Sequence, residues 1–102
     1  MKKIVAVIRS LDLEKAERSL KDIGVEGITV IQAKGYGEYK DFFTMDWVVN
    51  NVKLEIVASD DQVEKIVESL RKTICTGHAG DGIIVVSPVE EFIKIRTGER
   101  VK

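Results

Sequence analysis

The spacing of apolar positions along the chain changes between two periods, and the same sequence of changes occurs twice. Lys2–Arg9 is a short β-branched run, which predicts a strand covered on both faces. Asp12 then stands where a helix N-cap is expected, and Leu13, Ala16, Leu20 and Ile23 recur at helical spacing. Glu14, Lys15, Glu17, Arg18 and Lys21 occupy the opposite side of that helix, and Gly24 supplies a left-handed stop. A second β-branched run, Ile28–Ala33, is broken by Gly35-Tyr36-Gly37, and a polar and aromatic segment follows from Glu38 to Asp46. Trp47–Ala58 reads as a third strand, in which Val52, Leu54 and Ile56 alternate with Lys53, Glu55 and Val57. Ser59-Asp60-Asp61-Gln62 has the pattern of a capping box, and Val63, Ile66, Val67, Leu70 and Ile74 give the second helix its stripe. A glycine-rich loop, Thr76–Gly82, leads into the strand Ile83–Val86, which Pro88 ends or places at an edge. Phe92–Arg96 reads as a short terminal extension.

Strand, helix, strand, repeated, predicts an α+β fold: a ferredoxin-like βαββαβ antiparallel sheet with both helices on one face. Such a sheet leaves its other face bare. Apolar residues there, drawn from Val5, Val7, Val30 and Leu54, are costly in water at about 25 cal/mol per Å². A symmetric oligomer that buries the bare face is therefore expected.

Length and composition narrow the function classes. The 102 residues predict a single domain spanning 1–102. Sixteen Lys and Arg against 17 Asp and Glu give a formal charge of −1, which leaves no electrostatic footprint for general nucleic-acid binding. One cysteine, Cys75, excludes an internal disulfide framework and suits a reducing compartment. The run Ile4–Ile8 is too short for a signal-peptide core, and no apolar stretch approaches a membrane span. A cytoplasmic protein without membrane insertion is the expectation.

Candidate chemistry lies in three separated pieces. In Thr76-Gly77-His78-Ala79-Gly80-Asp81-Gly82, three glycines allow several N–H groups to converge on an anion, and Thr76 can add a hydroxyl. The same glycines also fit a helix stop followed by a plain turn. Alternation in Lys94-Ile95-Arg96 places two cations on one face, suited to a phosphate or carboxylate or else to pairing with Glu90, Glu91 or Glu99. Gly35-Tyr36-Gly37 marks either a turn or a ligand contact. Cys75 and His78 have metal-ligand spacing, but no second Cys or His completes a zinc site in one chain. Cys75 reads most simply as a small core residue and His78 as a loop residue.

Together these pieces resemble the nitrogen-regulatory PII signal-transduction family. Met1–Ile8, Gly24–Val30, Lys34–Gly37, Val52–Val57, Thr76–Gly82 and Ile95–Glu99 all fall in family order. The resemblance implies a homotrimer with an adenine nucleotide (ADP, AMP or ATP) in clefts between subunits, acting as a non-enzymatic regulator of a target protein. Carried over by position, Val7, Gly27, Thr29, Glu55 and Val57 would surround the adenine and ribose. Gly35 and Gly37 would pass beside the nucleotide, and Gly80, Asp81 and Gly82 would wrap its phosphates. Lys94 and Arg96 would arrive from the neighbouring subunit.

The departures define a divergent member. The family usually has Lys or Arg after Gly-Asp-Gly, whereas this chain has Ile83. Losing one charge-assisted hydrogen bond, worth about 1.5–3 kcal/mol, predicts roughly ten- to hundredfold weaker ATP binding and a shift toward ADP or AMP. The mobile loop is shorter by about seven residues against the usual pattern. Tyr39 and Asn51 stand where the family has the Gln and Lys that serve Mg-ATP and 2-oxoglutarate, so a role for Mg is left open and the usual 2-oxoglutarate site is not expected. The family's modified tyrosine is absent as well. Instead the segment presents Tyr39, Phe42, Phe43, Met45 and Trp47, a candidate partner surface or a cluster that folds onto the sheet. The alternative function is a PII-like sensor of a small carboxylate or bicarbonate together with ADP or AMP, not tied to nitrogen status.

Overall fold

Strand β1 (Lys2–Arg9) carries two faces of different chemistry, and the fold follows from that division. The computed structural model describes residues 1–35 and 49–101. After β1 come a short 3-10 turn, helix α1 (Leu13–Asp22), β2 (Thr29–Gly35), β3 (Val49–Ala58), a second 3-10 turn, α2 (Val63–Ile74), β4 (Ile83–Pro88), and the short strands β5 (Phe92–Ile93) and β6 (Arg100–Val101). The main sheet has the order β2-β3-β1-β4 and every neighbouring pair is antiparallel. That is the ferredoxin-like arrangement.

Register sorts the side chains. Ile4 faces Ile56, Ala6 faces Leu54 and Ile8 faces Val52, and all six are buried. Ala16 and Leu20 of α1 and Ile66, Leu70 and Ile74 of α2 close over them. Both helices therefore pack on the face made by even-numbered residues of β1 and β3. The opposite face carries Val5, Val7, Lys53, Glu55 and Val57, with Ile31 of β2 and Ile83 and Val85 of β4. Leu54 belongs to the core, fully buried, and Val30 opposite it lies on the helix side. The bare face thus keeps Val5 and Val7 but not these two.

The end of α1 meets expectation, and the helix starts depart from it. At Gly24 (φ +92°) α1 stops as predicted: Gly24 N–H donates to Lys21 O at 3.0 Å and Val25 N–H to Leu20 O at 3.0 Å. This is a Schellman closure, with Leu20 and Val25 both packed in the core. The capping box does not form. Ser59 makes no side-chain cap bond; it precedes a 3-10 turn over Asp60–Gln62, and its carbonyl accepts from Gln62 N–H at 3.0 Å. Asp12 occupies the N-cap position of α1 without capping it, since its carboxylate faces side-chain cations. The terminal extension is a β5–β6 hairpin, closed by Gly98 at φ +69°. Among the described residues, no helix is long and apolar enough to cross a membrane.

Candidate functional site

Gly82 decides how the glycine loop meets the sheet. Its φ is +117°, and a Cβ there would lie 2.1 Å from the Val7 carbonyl oxygen, so only glycine lets the loop enter β4 against β1. Gly77 (φ +83°) and Gly80 (φ +97°) complete a loop of left-handed turns. Its organiser is Asp81. The carboxylate accepts the N–H of Thr76 at 2.8 Å, the N–H of Gly77 at 3.0 Å and the Thr76 hydroxyl. Thr76 Oγ1 in turn accepts the N–H of His78 at 3.3 Å. Burial alone would raise the Asp81 pKa, but the Thr76 hydroxyl, the two N–H donors and Arg9 outweigh it and hold the group below its ordinary 3.8.

Thr76 and Asp81, expected at the phosphates, thus spend their polar atoms on the loop itself. Cys75 is exposed, not a core residue, because α2 ends at Ile74 and the chain turns extended at the next position. His78 is exposed in the loop. Among the described residues no group of His, Cys, Asp and Glu could hold a metal ion.

Of the other expected nucleotide residues, Val7, Thr29, Glu55 and Val57 lie along the bare face, and Gly27 precedes β2. Thr29 of β2 stands opposite Glu55 of β3, which stands opposite Val5 of β1. Val7, opposite Lys53, is the diagonal neighbour of Glu55. Val57 lies two residues beyond Glu55 on the same face, and Gly27 and Val57 line one cavity of about 360 Å³. From the Val57 row to the Val7 row is four residues of strand, about 13 Å. Gly35 ends β2 at the loop's end of the sheet. Glu55 is held between Lys53 Nζ at 3.3 Å and Lys3 Nζ at 3.5 Å. The Lys53 hydrogen bond lowers its pKa, burial opposes that, and Lys3 adds to the lowering.

Lys94 and Arg96 are exposed in the β5–β6 turn. Among the described residues neither forms an ion pair, and the local acid Glu91 pairs with Arg100 at 3.1 Å instead. No hydrogen bond or ion pair joins them to the glycine loop of their own chain, again among the described residues. Gly37, Tyr39, Phe42, Phe43, Met45 and Trp47 lie outside the described residues.

Sequence reasoning missed one group. Arg9 Nε donates to Asp12 Oδ2 at 3.0 Å, and its Nη2 lies 3.5 Å from Asp81 Oδ1. Lys15 Nζ sits 3.3 Å from the other Asp12 oxygen, and Asp12 is 1% exposed. The parity of Val5, Val7 and Arg9 was the available signal: it puts Arg9 on the bare face, at the end where the loop lies.

Over residues 1–99 the chain matches the family described as nitrogen regulatory protein P-II. The protein of that name from Bradyrhizobium diazoefficiens is 42% identical over 106 residues, covering 97% of this chain and 95% of the relative. The one from Azospirillum brasilense is 41% identical over 107 residues, covering 98% and 96%. These aligned lengths exceed the 102 residues of this chain, so the relatives carry residues that it lacks. Arabidopsis thaliana PII bound to citrate is similar in structure, with a TM-score of 0.84 and 36% identity over 99% of this chain and 85% of that one. Motif order, sheet order and near end-to-end similarity agree, and the chain belongs to the nitrogen regulatory P-II family of non-enzymatic signal transducers.

Proposed function

We propose that this chain is a nucleotide-responsive regulator: a cytoplasmic homotrimer that binds ADP, AMP or ATP in clefts between subunits and controls a target protein through its loop. Proteins of this family form homotrimers, bind effectors such as ATP, ADP and 2-oxoglutarate, and contact target proteins. In this reading Gly27, Thr29, Glu55, Val57 and Val7 receive the adenine and ribose along the bare face. Gly35 and Gly37 flank the ligand, and Thr76, Gly80, Asp81 and Gly82 form the phosphate end. Lys94 and Arg96 come from a second copy. Tyr39, Phe42, Phe43, Met45 and Trp47 form the surface offered to the target.

The observation that carries the reading is the strip of expected residues on one sheet face, ending in a loop already fixed by Asp81 and Gly82. The N–H groups of Thr76, Gly77 and His78 hold the loop in shape, and a backbone already fixed in this way costs little to present to an anion. The hairpin cations Lys94 and Arg96, which form no ion pair among the described residues, supply a second reason: two like charges in water favour an arriving phosphate.

Calorimetry and thermal shift with AMP, ADP and ATP, with and without Mg²⁺, test the proposal. At about 100 times Kd, a ligand specific for the folded state adds roughly 2.7 kcal/mol of stability. Silence with all three nucleotides would reject the sensor.

A second reading is favoured by one neighbour. Arabidopsis PII was solved bound to citrate, a carboxylate, and Lys94 and Arg96 suit a carboxylate as well as a phosphate. Here the chain senses a small carboxylate or bicarbonate beside ADP or AMP. Competition by carboxylates in the same calorimetric titration separates the two readings.

A further inference from the structure

The glycine loop has an electrostatic problem that its own sequence does not solve. Two of its N–H groups, those of Thr76 and Gly77, already donate to the Asp81 carboxylate, which is itself negative and repels an arriving anion. The position after Gly82 is Ile83, which brings no charge. Among the described residues, the one cation within ion-pair distance of Asp81 is Arg9, whose Nη2 lies 3.5 Å from Oδ1. It reaches the loop from a different element, the end of β1.

We propose that Arg9 supplies the positive charge of the anion site, neutralising Asp81 and donating to the ligand's phosphates. The proposal rests on the nucleotide reading above and adds a binding residue to it. Three features of the structure support it. Arg9 shares the bare face with Val7, two residues earlier on the same strand, so it stands where the strip of expected nucleotide residues meets the loop. Its guanidinium is held: Nε donates to Asp12 at 3.0 Å, and Asp12 is buried and braced from the other side by Lys15 at 3.3 Å. An arginine has five N–H donors, and these two contacts leave others for a ligand. At 25% exposure the side chain is both accessible and partly shielded, which strengthens a charge-assisted bond relative to one in open water.

Arg9→Gln removes the charge and Arg9→Lys keeps it without the fork. Calorimetry should show ATP affinity falling about tenfold or more in Arg9→Gln, AMP affinity falling less, and adenosine binding unchanged within about twofold. Arg9→Lys should recover part of the loss, and it remains informative should Arg9→Gln fail to fold. An arginine that merely braced the fold would weaken adenosine, AMP and ATP alike, and that pattern would overturn the proposal. So would nucleotide affinities at wild-type level in a folded Arg9→Gln. Wild-type protein that binds no adenine nucleotide defeats the nucleotide reading, and inorganic pyrophosphate then decides the Arg9 proposal separately. Pyrophosphate binding that drops in Arg9→Gln sustains it; no pyrophosphate binding, or binding indifferent to the substitution, overturns it.

Discussion

Asp81 and Gly82 are adjacent and constrain the loop by different physics. Gly82 is fixed by space and backbone: Gly82→Ala puts a methyl 2.1 Å from a carbonyl oxygen at φ +117°, and neither strand can yield without breaking the β1–β4 ladder. A loss of about 3 kcal/mol or more is expected, read as a lowered urea midpoint. An unchanged midpoint would mean that the loop does not sit on Val7. Asp81 is fixed by hydrogen bonds to its charged form, and its pKa lies below 3.8 in the folded chain. A carboxylate depressed in this way stabilises the fold above its ordinary pKa, and the contribution is lost as pH falls through the lower folded value. The stability gap between wild type and Asp81→Asn should therefore be widest above the ordinary carboxylate value of 3.8 and close as pH falls below it. A gap that stays constant over that range would contradict the assigned role.

At the scale of elements, periodicity carried the reading well because each element has one dry side. Ile66, Leu70 and Ile74 recur in α2 as the helical spacing predicts, and the β-branched run marked β1 as a strand, although it buries Ile4, Ala6 and Ile8 on one face only and is not covered on both. The stop at Gly24 was equally legible, since a single residue provides the conformation. A Cβ there would meet nothing within 4 Å, so Gly24→Ala costs only the left-handed backbone, about 1–2 kcal/mol. Thermal unfolding should show that modest fall; a fall as large as that of Gly82→Ala would indicate an unrecognised contact. Helix starts were less legible. Ser59 and Asp12 have the right side chains for capping, but a 3-10 turn precedes each helix, and the Asp12 carboxylate is taken by Arg9 and Lys15. The same limit hid half of the candidate site. The motif of glycines could be seen in sequence, and the bonds of Asp81 to Thr76 are local to that loop, whereas its pairing with Arg9 depends on how β1 and β4 come together. Arg9 and Asp81 are 72 positions apart, and their encounter belongs to the sheet order.

At the scale of the whole molecule, the bare face is the unfinished part. Ile31, Val57 and Val85 are 45%, 39% and 50% exposed, and the ion pairs of Glu55 run between them. Apolar area of this kind is covered when copies of the chain associate. Val85 pairs with Val5 near the middle of that face, so Val85→Asp should dissociate the assembly while leaving far-ultraviolet circular dichroism unchanged. An assembly that survives Val85→Asp would move the interface elsewhere.

Sedimentation equilibrium in the presence of a chromophoric ADP analogue tests the shared cleft most directly, because it reads mass and ligand on the same particle. The account predicts a particle of three times the 11.4 kDa chain that carries the nucleotide, and about tenfold or more weaker loading at the same mass for Lys94→Ala with Arg96→Ala. Nucleotide travelling with a single 11.4 kDa chain, undiminished by those two substitutions, would contradict it.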